Sequence, residues 1–556
     1  MRTDVSGWNT RLTDEMVERF SRTGAWRNDT VAHCAIREAE RQPDGVVVIE
    51  GDRAVTFAGI LQQACELAGA FDALGLSPGE VISYQLPNWS ETMALNIAAC
   101  LAGLVVNPIV PIYRDAEVGF IVKDARARLL FIPGQFRNFD YPAMVARLRP
   151  DLPDLQNVVI LRGQGEGCMD FGLLQAMGRG TPVTDVRADP NAVKLVLYTS
   201  GTTAKPKGVL HSHNTIMSEI AGVIGFWGIR RDDVVLMPSP VTHITGYLYA
   251  LEIAFAAGIK TVFMERWNVA DAVDLIARNG ASFSVGATPF LKELTEEVER
   301  RGIALPSMRL FMSGGAPVPP EVILRANRAL PGCLAFRVYG STEAPTVTLG
   351  IRDRSQSDLG ANTDGQIVGH EVRICDPATG AEVADGEEGE ICTRGPEMML
   401  GYTDWTHTVE AFDADGFFHT GDLGRRVNGD FIVISGRKKD LIIRGGENLS
   451  PKEIEDVLHQ HPAIKEVAVV AMPHARLGET VCAFVIPNPG QSVNVPALAS
   501  FLEKAGLARQ KFPEHVELVD DLPRTASGKV QKNILRERIA ARLERNDRVK
   551  TQGAGQ

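Results

Sequence analysis

From about residue 81 to residue 338 the chain repeats one pattern, a short apolar run rich in Val, Ile and Leu followed by a stretch whose apolar residues recur every three or four positions. A short continuous apolar run suits a buried strand, a 3.6-residue period suits a helix, and their alternation marks a parallel sheet covered by helices. Strand-like runs lie at 194–198, 234–237, 261–264, 282–285 and 309–312, and helix-like stretches at 268–278 and 289–300. The larger part of the chain is thereby committed to the α/β class.

At 556 residues the chain exceeds the ~250–300 at which one hydrophobic core stops growing, so at least two domains are expected. After about residue 366 the texture changes to Gly- and Asp-rich turns, Asp385-Gly386, Glu388-Gly389, Asp415-Gly416 and Asn428-Gly429, which separate short strands of a mostly antiparallel subdomain. A further unit begins near Asp440. It holds a helix at 451–459 with Ser450 as N-cap and Pro451 at the first helical position, strands at 467–471 and 481–485, and a last helix at 530–543 before a frayed end at 551–556.

Charge and cysteine usage remove several function classes. The net charge of −11 lacks the basic excess that a grip on nucleic-acid phosphates needs, so no nucleic-acid partner is expected. Eight scattered cysteines without a C-x-x-C pair suggest neither a zinc cluster nor a disulfide framework, and fit reduced thiols in the cytoplasm. The first residues carry no apolar signal-peptide core. The most apolar stretches, 93–106 and 247–264, are short or broken by Glu252 and Lys260, so no transmembrane segment is expected. The sequence sets no oligomeric state.

Residues 198–209 read Y-T-S-G-T-T-A-K-P-K-G-V. The hydroxyls of Thr199, Ser200, Thr202 and Thr203, the amides around Gly201 and Gly208, and the ammonium groups of Lys205 and Lys207 make a donor-rich concavity suited to polyphosphate. A Walker A loop cannot be placed on it. Farther along, 313–317 reads S-G-G-A-P and 338–344 reads V-Y-G-S-T-E-A, each at a predicted strand end, where ligands of open α/β sheets sit. Glycine at Gly314, Gly315 and Gly340 lets backbone pass close to a flat ligand.

These segments resemble the adenylate-forming (AMP-binding) superfamily, which includes acyl-CoA synthetases, peptide-synthetase adenylation domains and firefly-type luciferases. The resemblance covers about 30–543 with the motifs in family order. Ala204 departs from the usual glycine of the phosphate loop and tolerates positive φ less well. The resemblance implies an α/β fold with a large N-terminal domain, 1–438, of parallel-rich, helix-covered sheets plus a β-rich subdomain. A small mobile α+β C-terminal domain, 439–545, and a flexible tail, 546–556, follow.

It also implies an ATP-dependent carboxylic acid:CoA ligase working through an acyl-adenylate, with ATP, Mg²⁺ and coenzyme A. Thr199, Ser200, Gly201, Thr202, Thr203 and Lys207 line the phosphates, Gly314, Gly315, Ala316, Tyr339 and Gly340 the adenine, and Thr342 the α-phosphate; Glu343 holds Mg²⁺, as its hard carboxylate suits. Asp422, in H-T-G-D-L, accepts ribose hydroxyls, and Arg437, in S-G-R-K-K-D, donates to the same ribose or its phosphate. Lys439 is the hinge, Gly445 and Gly446 line a pantetheine tunnel, and Lys529, in P-R-T-A-S-G-K-V-Q-K, is the catalytic lysine. His243 lies beside the acyl site or makes a structural hydrogen bond at a helix start, while His211 and His213 are read as structural. The acid pocket, drawn from 243–247, 286–289, 313–316 and 339–346, carries few charges and points to an apolar medium-chain, alicyclic or aromatic acid. Loading of a carrier protein and a non-catalytic nucleotide-binding homologue are the alternatives.

Overall fold

The computed structural model describes the chain apart from residues 183–185, 200–204, 446, 525–528 and 554–556, and describes the backbone alone at 448, 544 and 546–553. The chain divides into two compact units, Met1–Glu371 with Arg394–Phe418, and Val372–Thr393 with His419–Gln556.

Two sheets organise the first unit. The eight-stranded sheet runs Met169–Asp170, Asn157–Leu161, Ala127–Pro133, Val81–Tyr84, Val105–Pro108, Val193–Thr199, Lys207–Ser212, Gly401–Tyr402. Its first six strands are parallel and the last two pair antiparallel. The seven-stranded sheet runs Leu334–Arg337, Leu310–Ser313, Phe283–Gly286, Val234–Met237, Lys260–Phe263, Val46–Glu50, Arg53–Thr56, and all but its final pair are parallel. Every residue of Val234–Met237 is buried, as expected of a strand covered on both faces.

The helices form where the period predicts. Val269–Asn279 buries Ala272, Val273 and Ile276, starts where the Asn268 side chain accepts from the amides of Ala270 and Asp271, and ends at Gly280 with φ +65°. An oxygen side chain at the N-cap and a left-handed glycine at the C-cap satisfy end groups that the helix cannot pair itself. Helix Thr288–Arg301 buries Leu291, Leu294 and Val298 on the face toward the same core. Helix Glu91–Ala102 is buried at every position, which explains its apolar sequence: it is a core helix rather than a membrane span. Among the described residues no helix is long and apolar enough to cross a membrane.

The second unit has a four-stranded sheet, Glu371–Cys375, Gly389–Arg394, Phe418–Val427 and Phe431–Arg437. Its last two strands are antiparallel and turn at Asn428 (φ 49°) and Gly429 (φ 82°). Its second sheet orders Glu447–Leu449, Ile442–Arg444, Gly478–Pro487 and Ile464–His474, with His515–Leu518 parallel to Gly478–Pro487. Alternation along Ile464–His474 sends Val467, Val469 and Ala471 into one core and Ala468, Val470 and Met472 into another. Helices Pro451–Leu458 and Val495–Lys504 cover the first through Ile454, Leu458, Leu498 and Leu502. Leu535 and Ile539 of the last helix cover the second.

Two expectations change. Ser450 does stand at the N-cap of Pro451–Leu458, but its hydroxyl makes no cap bond and donates instead to the Ser435 carbonyl. The last helix spans Lys532–Gly553 rather than ending at 543, because no proline or glycine interrupts the sequence after Leu543 until Gly553 itself. The phosphate loop joins Val193–Thr199 to an antiparallel strand, Lys207–Ser212, which runs ahead of the helix His213–Trp227.

Candidate active site

In the first unit the site is built from loops at the C-terminal ends of parallel strands. Phe283–Gly286, Leu310–Ser313 and Leu334–Arg337 lie in register, Gly286 beside Ser313 and Ser313 beside Arg337, so their outgoing loops leave one edge. Gly314, Gly315 and Ala316 follow the second strand, and Tyr339, Gly340, Thr342 and Glu343 follow the third. Two glycines here are required by space. A Cβ on Gly340 would lie 1.9 Å from the Pro345 carbonyl oxygen, and one on Gly314 2.6 Å from that of Val338. The turn carrying Thr342 is closed by the Ser341 amide donating to Ala344 O (2.8 Å), while the Tyr339 amide donates to the Thr348 hydroxyl (2.9 Å).

The phosphate-loop hairpin enters from the eight-stranded sheet. Thr199 pairs with Lys207 and Tyr198 with Gly208, which puts the first and last residues of the loop opposite each other. The expected phosphate ligands Ser200, Gly201, Thr202 and Thr203, and also Ala204, lie outside the described residues. The base of the hairpin is fixed by Asp124, which accepts from the Tyr198 hydroxyl (2.6 Å) and the Thr403 hydroxyl (2.9 Å). Thr403 also donates its amide to Gly208 O at 2.8 Å, an approach that leaves no room for a side chain at Gly208.

Two residues that sequence reasoning did not assign join these parts. His211, on the strand leaving the phosphate loop, is fully buried, and its Nε2 lies 2.7 Å from the Thr342 carbonyl oxygen. A carbonyl only accepts, so Nε2 carries the proton and donates. Nδ1 faces the Thr215 hydroxyl at 3.2 Å. Burial pushes the imidazole down to about 4, so the ring is neutral at physiological pH. His211 thus positions the turn that carries Thr342 and Glu343.

The second is Tyr402. Its hydroxyl donates to Glu343 Oε1 at 3.0 Å, and the Lys207 ammonium lies 5.2 Å from its ring centroid. Burial, reinforced by the Glu343 carboxylate, raises the phenol above its ordinary range and keeps it a donor. Lys207, Tyr402 and Glu343 therefore form one connected series. Lys205 packs over Phe120 at 5.7 Å.

His243 stands at the N-cap of Ile244–Gly246, where its Nδ1 accepts from the Thr245 amide (3.4 Å), so its helix-start hydrogen bond is present. A π-helical turn, Tyr247–Glu252, follows. It is held by a buried polar chain: Lys194 pairs with Glu252 (2.5 Å), Asn96 donates to Glu252 (2.8 Å), and the Tyr247 hydroxyl donates to Asn96 (2.6 Å). The ion pair is fully buried; Lys194 and Asn96 both reach Glu252 Oε1, while Glu252 Oε2 is buried without a hydrogen-bond partner.

The remaining expected residues belong to the second unit. Asp422 and Arg437 are cross-strand partners with an ion pair of 2.7 Å, Asp422 buried and Arg437 partly exposed. Burial lowers the Lys439 ammonium below its usual range, and its carbonyl accepts from Arg536 at 2.8 Å. Gly445 takes φ +61° directly after the strand Ile442–Arg444, whose Arg444 pairs with Glu447, while Gly446 lies outside the described residues. Lys529 is half-buried beside the Arg524–Val530 bridge, and residues 525–528 are outside the described set.

Comparison with known proteins places this geometry. A model of the AMP-binding enzyme family matches residues 36–403, and one of the AMP-binding enzyme C-terminal domain matches 453–529. The medium-chain fatty-acid–CoA ligase of Escherichia coli (strain K12) is 32% identical over 530 residues, covering 94% of this chain and 93% of that protein. The vibriobactin-specific 2,3-dihydroxybenzoate-AMP ligase of Vibrio cholerae is 29% identical, covering 97% and 98%. The crystal structure of ATP-bound MatB from Rhodopseudomonas palustris superposes with a TM-score of 0.80 at 29% identity, covering 91% of this chain and 98% of that one.

Proposed function

Given that the chain belongs to the AMP-binding enzyme family, we infer that it is an ATP-dependent carboxylic acid:CoA ligase that works through an acyl-adenylate and takes an apolar medium-chain, alicyclic or aromatic acid. The observation that supports this best is the pair of ties between the phosphate-loop hairpin and the loop after Leu334–Arg337. His211 reaches Thr342, and Tyr402 joins Lys207 to Glu343.

A carboxylate cannot be attacked by a thiol while its leaving group is oxide. Its oxygen therefore attacks the α-phosphorus of ATP, the bond to pyrophosphate breaks, and a mixed anhydride with AMP forms. In this reading Thr342 donates to the α-phosphate, Tyr339 stacks on adenine against Gly314, Gly315, Ala316 and Gly340, and Asp422 with Arg437 takes the ribose. Lys529 stabilises the charge that gathers in the transition state. The oxygen-only donor at Glu343, steadied by the Tyr402 hydroxyl, fits Mg²⁺, which supplies charge neutralisation of the phosphates when bound.

The CoA thiolate then attacks the acyl carbon and AMP departs. The 439–545 segment would turn at Lys439, withdraw Lys529 and bring Gly445 and Gly446 to the pantetheine, so that one pocket serves two reactions. Scattered reduced cysteines support a cytoplasmic setting.

Relatives named as 2,3-dihydroxybenzoate-AMP ligases, names without CoA in them, favour a second reading in which adenylation is followed by transfer to another acceptor, a carrier protein. Pyrophosphate exchange into ATP, measured with and without a panel of acids, followed by AMP and thioester formation with CoA, tests the reading. Acid-dependent exchange and CoA consumption are expected. Exchange without CoA consumption would favour the carrier reading, and nucleotide binding without exchange would leave a mere binder.

A further inference from the structure

We propose that Glu390, Cys392 and His419 form a binding site for a divalent transition-metal ion of the Zn²⁺ type, separate from the Mg²⁺ donor Glu343. The three residues lie on neighbouring strands of the four-stranded sheet, Gly389–Arg394 and Phe418–Val427. Glu390 and Cys392 are two apart and so share a face. His419 Nδ1 lies 3.3 Å from Glu390 Oε2 and 3.4 Å from Cys392 Sγ, and all three donor atoms fall within 4.8 Å of one another.

The two spacings from His419 are those of a coordination sphere. Bonds of ~2.0–2.3 Å to a tetrahedral Zn²⁺ set adjacent donor atoms roughly 3.3–3.6 Å apart, so an ion enters with little movement of the ligands. Thiolate and imidazole select a borderline-soft ion and disfavour Mg²⁺. The carboxylate is oriented from behind, since the Gly421 amide donates to Glu390 Oε1 at 3.1 Å, the kind of outer contact that tunes a metal ligand. Glu390 and Cys392 are buried, while the His419 side chain is 33% exposed and leaves a way in.

Lys438 completes the inference, because its ammonium lies 3.2 Å from the same Glu390 oxygen that faces His419. A cation already satisfies this carboxylate, and the metal takes its place. On uptake Cys392 loses its thiol proton to solvent, Lys438 leaves Glu390, and water fills the fourth position. The site then bears on the nucleotide and hinge residues through the chain itself: Gly421 precedes Asp422, and Lys438 precedes Lys439. A search for C-x-x-C pairs misses such a site because its donors meet only across two strands.

Cobalt titration of the chelator-treated, full-length protein tests this. A thiolate-to-cobalt charge-transfer band with visible bands of tetrahedral intensity is expected, saturating at one ion per chain, displaced by Zn²⁺ but not by Mg²⁺, and accompanied by proton release. Cys392→Ser should lose the band. Lys438→Met, which keeps all three donors and changes a partly exposed side chain, should bind cobalt severalfold more tightly. Circular dichroism reports folding, and should Cys392→Ser fail to fold, loss of the tetrahedral bands in His419→Gln decides. Absence of the band in the wild type, its survival in Cys392→Ser, or unaltered affinity in Lys438→Met would overturn the proposal.

Discussion

Replacing His211 with leucine removes the 2.7 Å bond to the Thr342 carbonyl while keeping apolar bulk in a fully buried site. A buried acceptor left without a donor costs about 1–3 kcal/mol. If that cost falls on the turn carrying Thr342, the competent arrangement is depleted by about 5- to 150-fold, since 1.4 kcal/mol is a factor of ten. Acid-dependent exchange of pyrophosphate into ATP should fall by that factor, mainly in kcat. A residue that merely filled space would lower the melting temperature and leave the rate of the folded fraction untouched. Glutamine can present an N–H at a similar reach, so His211→Gln should recover much of the loss.

His211 also carries a pH signature. Its folded-state value, about 4, lies below its ordinary 6.5, so between these limits the unfolded chain binds more protons and stability falls as pH drops. His211→Gln should therefore lose less stability than the wild type between pH 6.5 and 4, while rates above pH 7 run parallel. A His211→Leu enzyme that folds and exchanges at the wild-type rate would refute the positioning role.

Burial raises Glu219 to about 7 despite hydrogen bonds from Thr346 and Tyr249, so stability present below its ordinary 4.5 is lost as pH rises through 7. Glu219→Gln keeps an acceptor, so its melting temperature should gain on the wild type's as pH rises from 4.5 to 7 and hold a constant lead above that, as calorimetry across pH would record. Gly445→Ala puts a Cβ on a residue with φ +61°, a strain of about 1–2 kcal/mol, and should slow thioester formation while sparing pyrophosphate exchange. Ile276→Ala empties a fully buried position and should destabilise the first unit by about 2–5 kcal/mol in denaturant titration without changing the KM for ATP.

The α/β pattern was legible because buried parallel strands and one-sided helices write their periods locally: the expected run at 234–237 is the strand Val234–Met237 itself. The glycines at 314 and 340 were legible as close-approach positions, and the contacts a Cβ would make give the reason. What stayed hidden depends on partners distant in sequence. His211 acquires a role only because Thr342, 131 residues away, returns to its strand, and Tyr402 only because Glu343 is 59 residues distant. The strand Lys207–Ser212 was missed for the same reason, since its six residues carry a weak local signal and gain their conformation by pairing with Val193–Thr199. The pairing of Asp422 with Arg437 likewise follows from cross-strand register rather than motif chemistry.

The most direct measurement compares two half-reactions in Lys529→Ala: acid-dependent pyrophosphate formation from ATP, and thioester formation when a preformed acyl-adenylate is supplied with CoA. A loss of about 10²–10³-fold in the first, with the second largely intact, is expected of an ammonium that stabilises charge at the α-phosphorus. Undiminished pyrophosphate formation would contradict it.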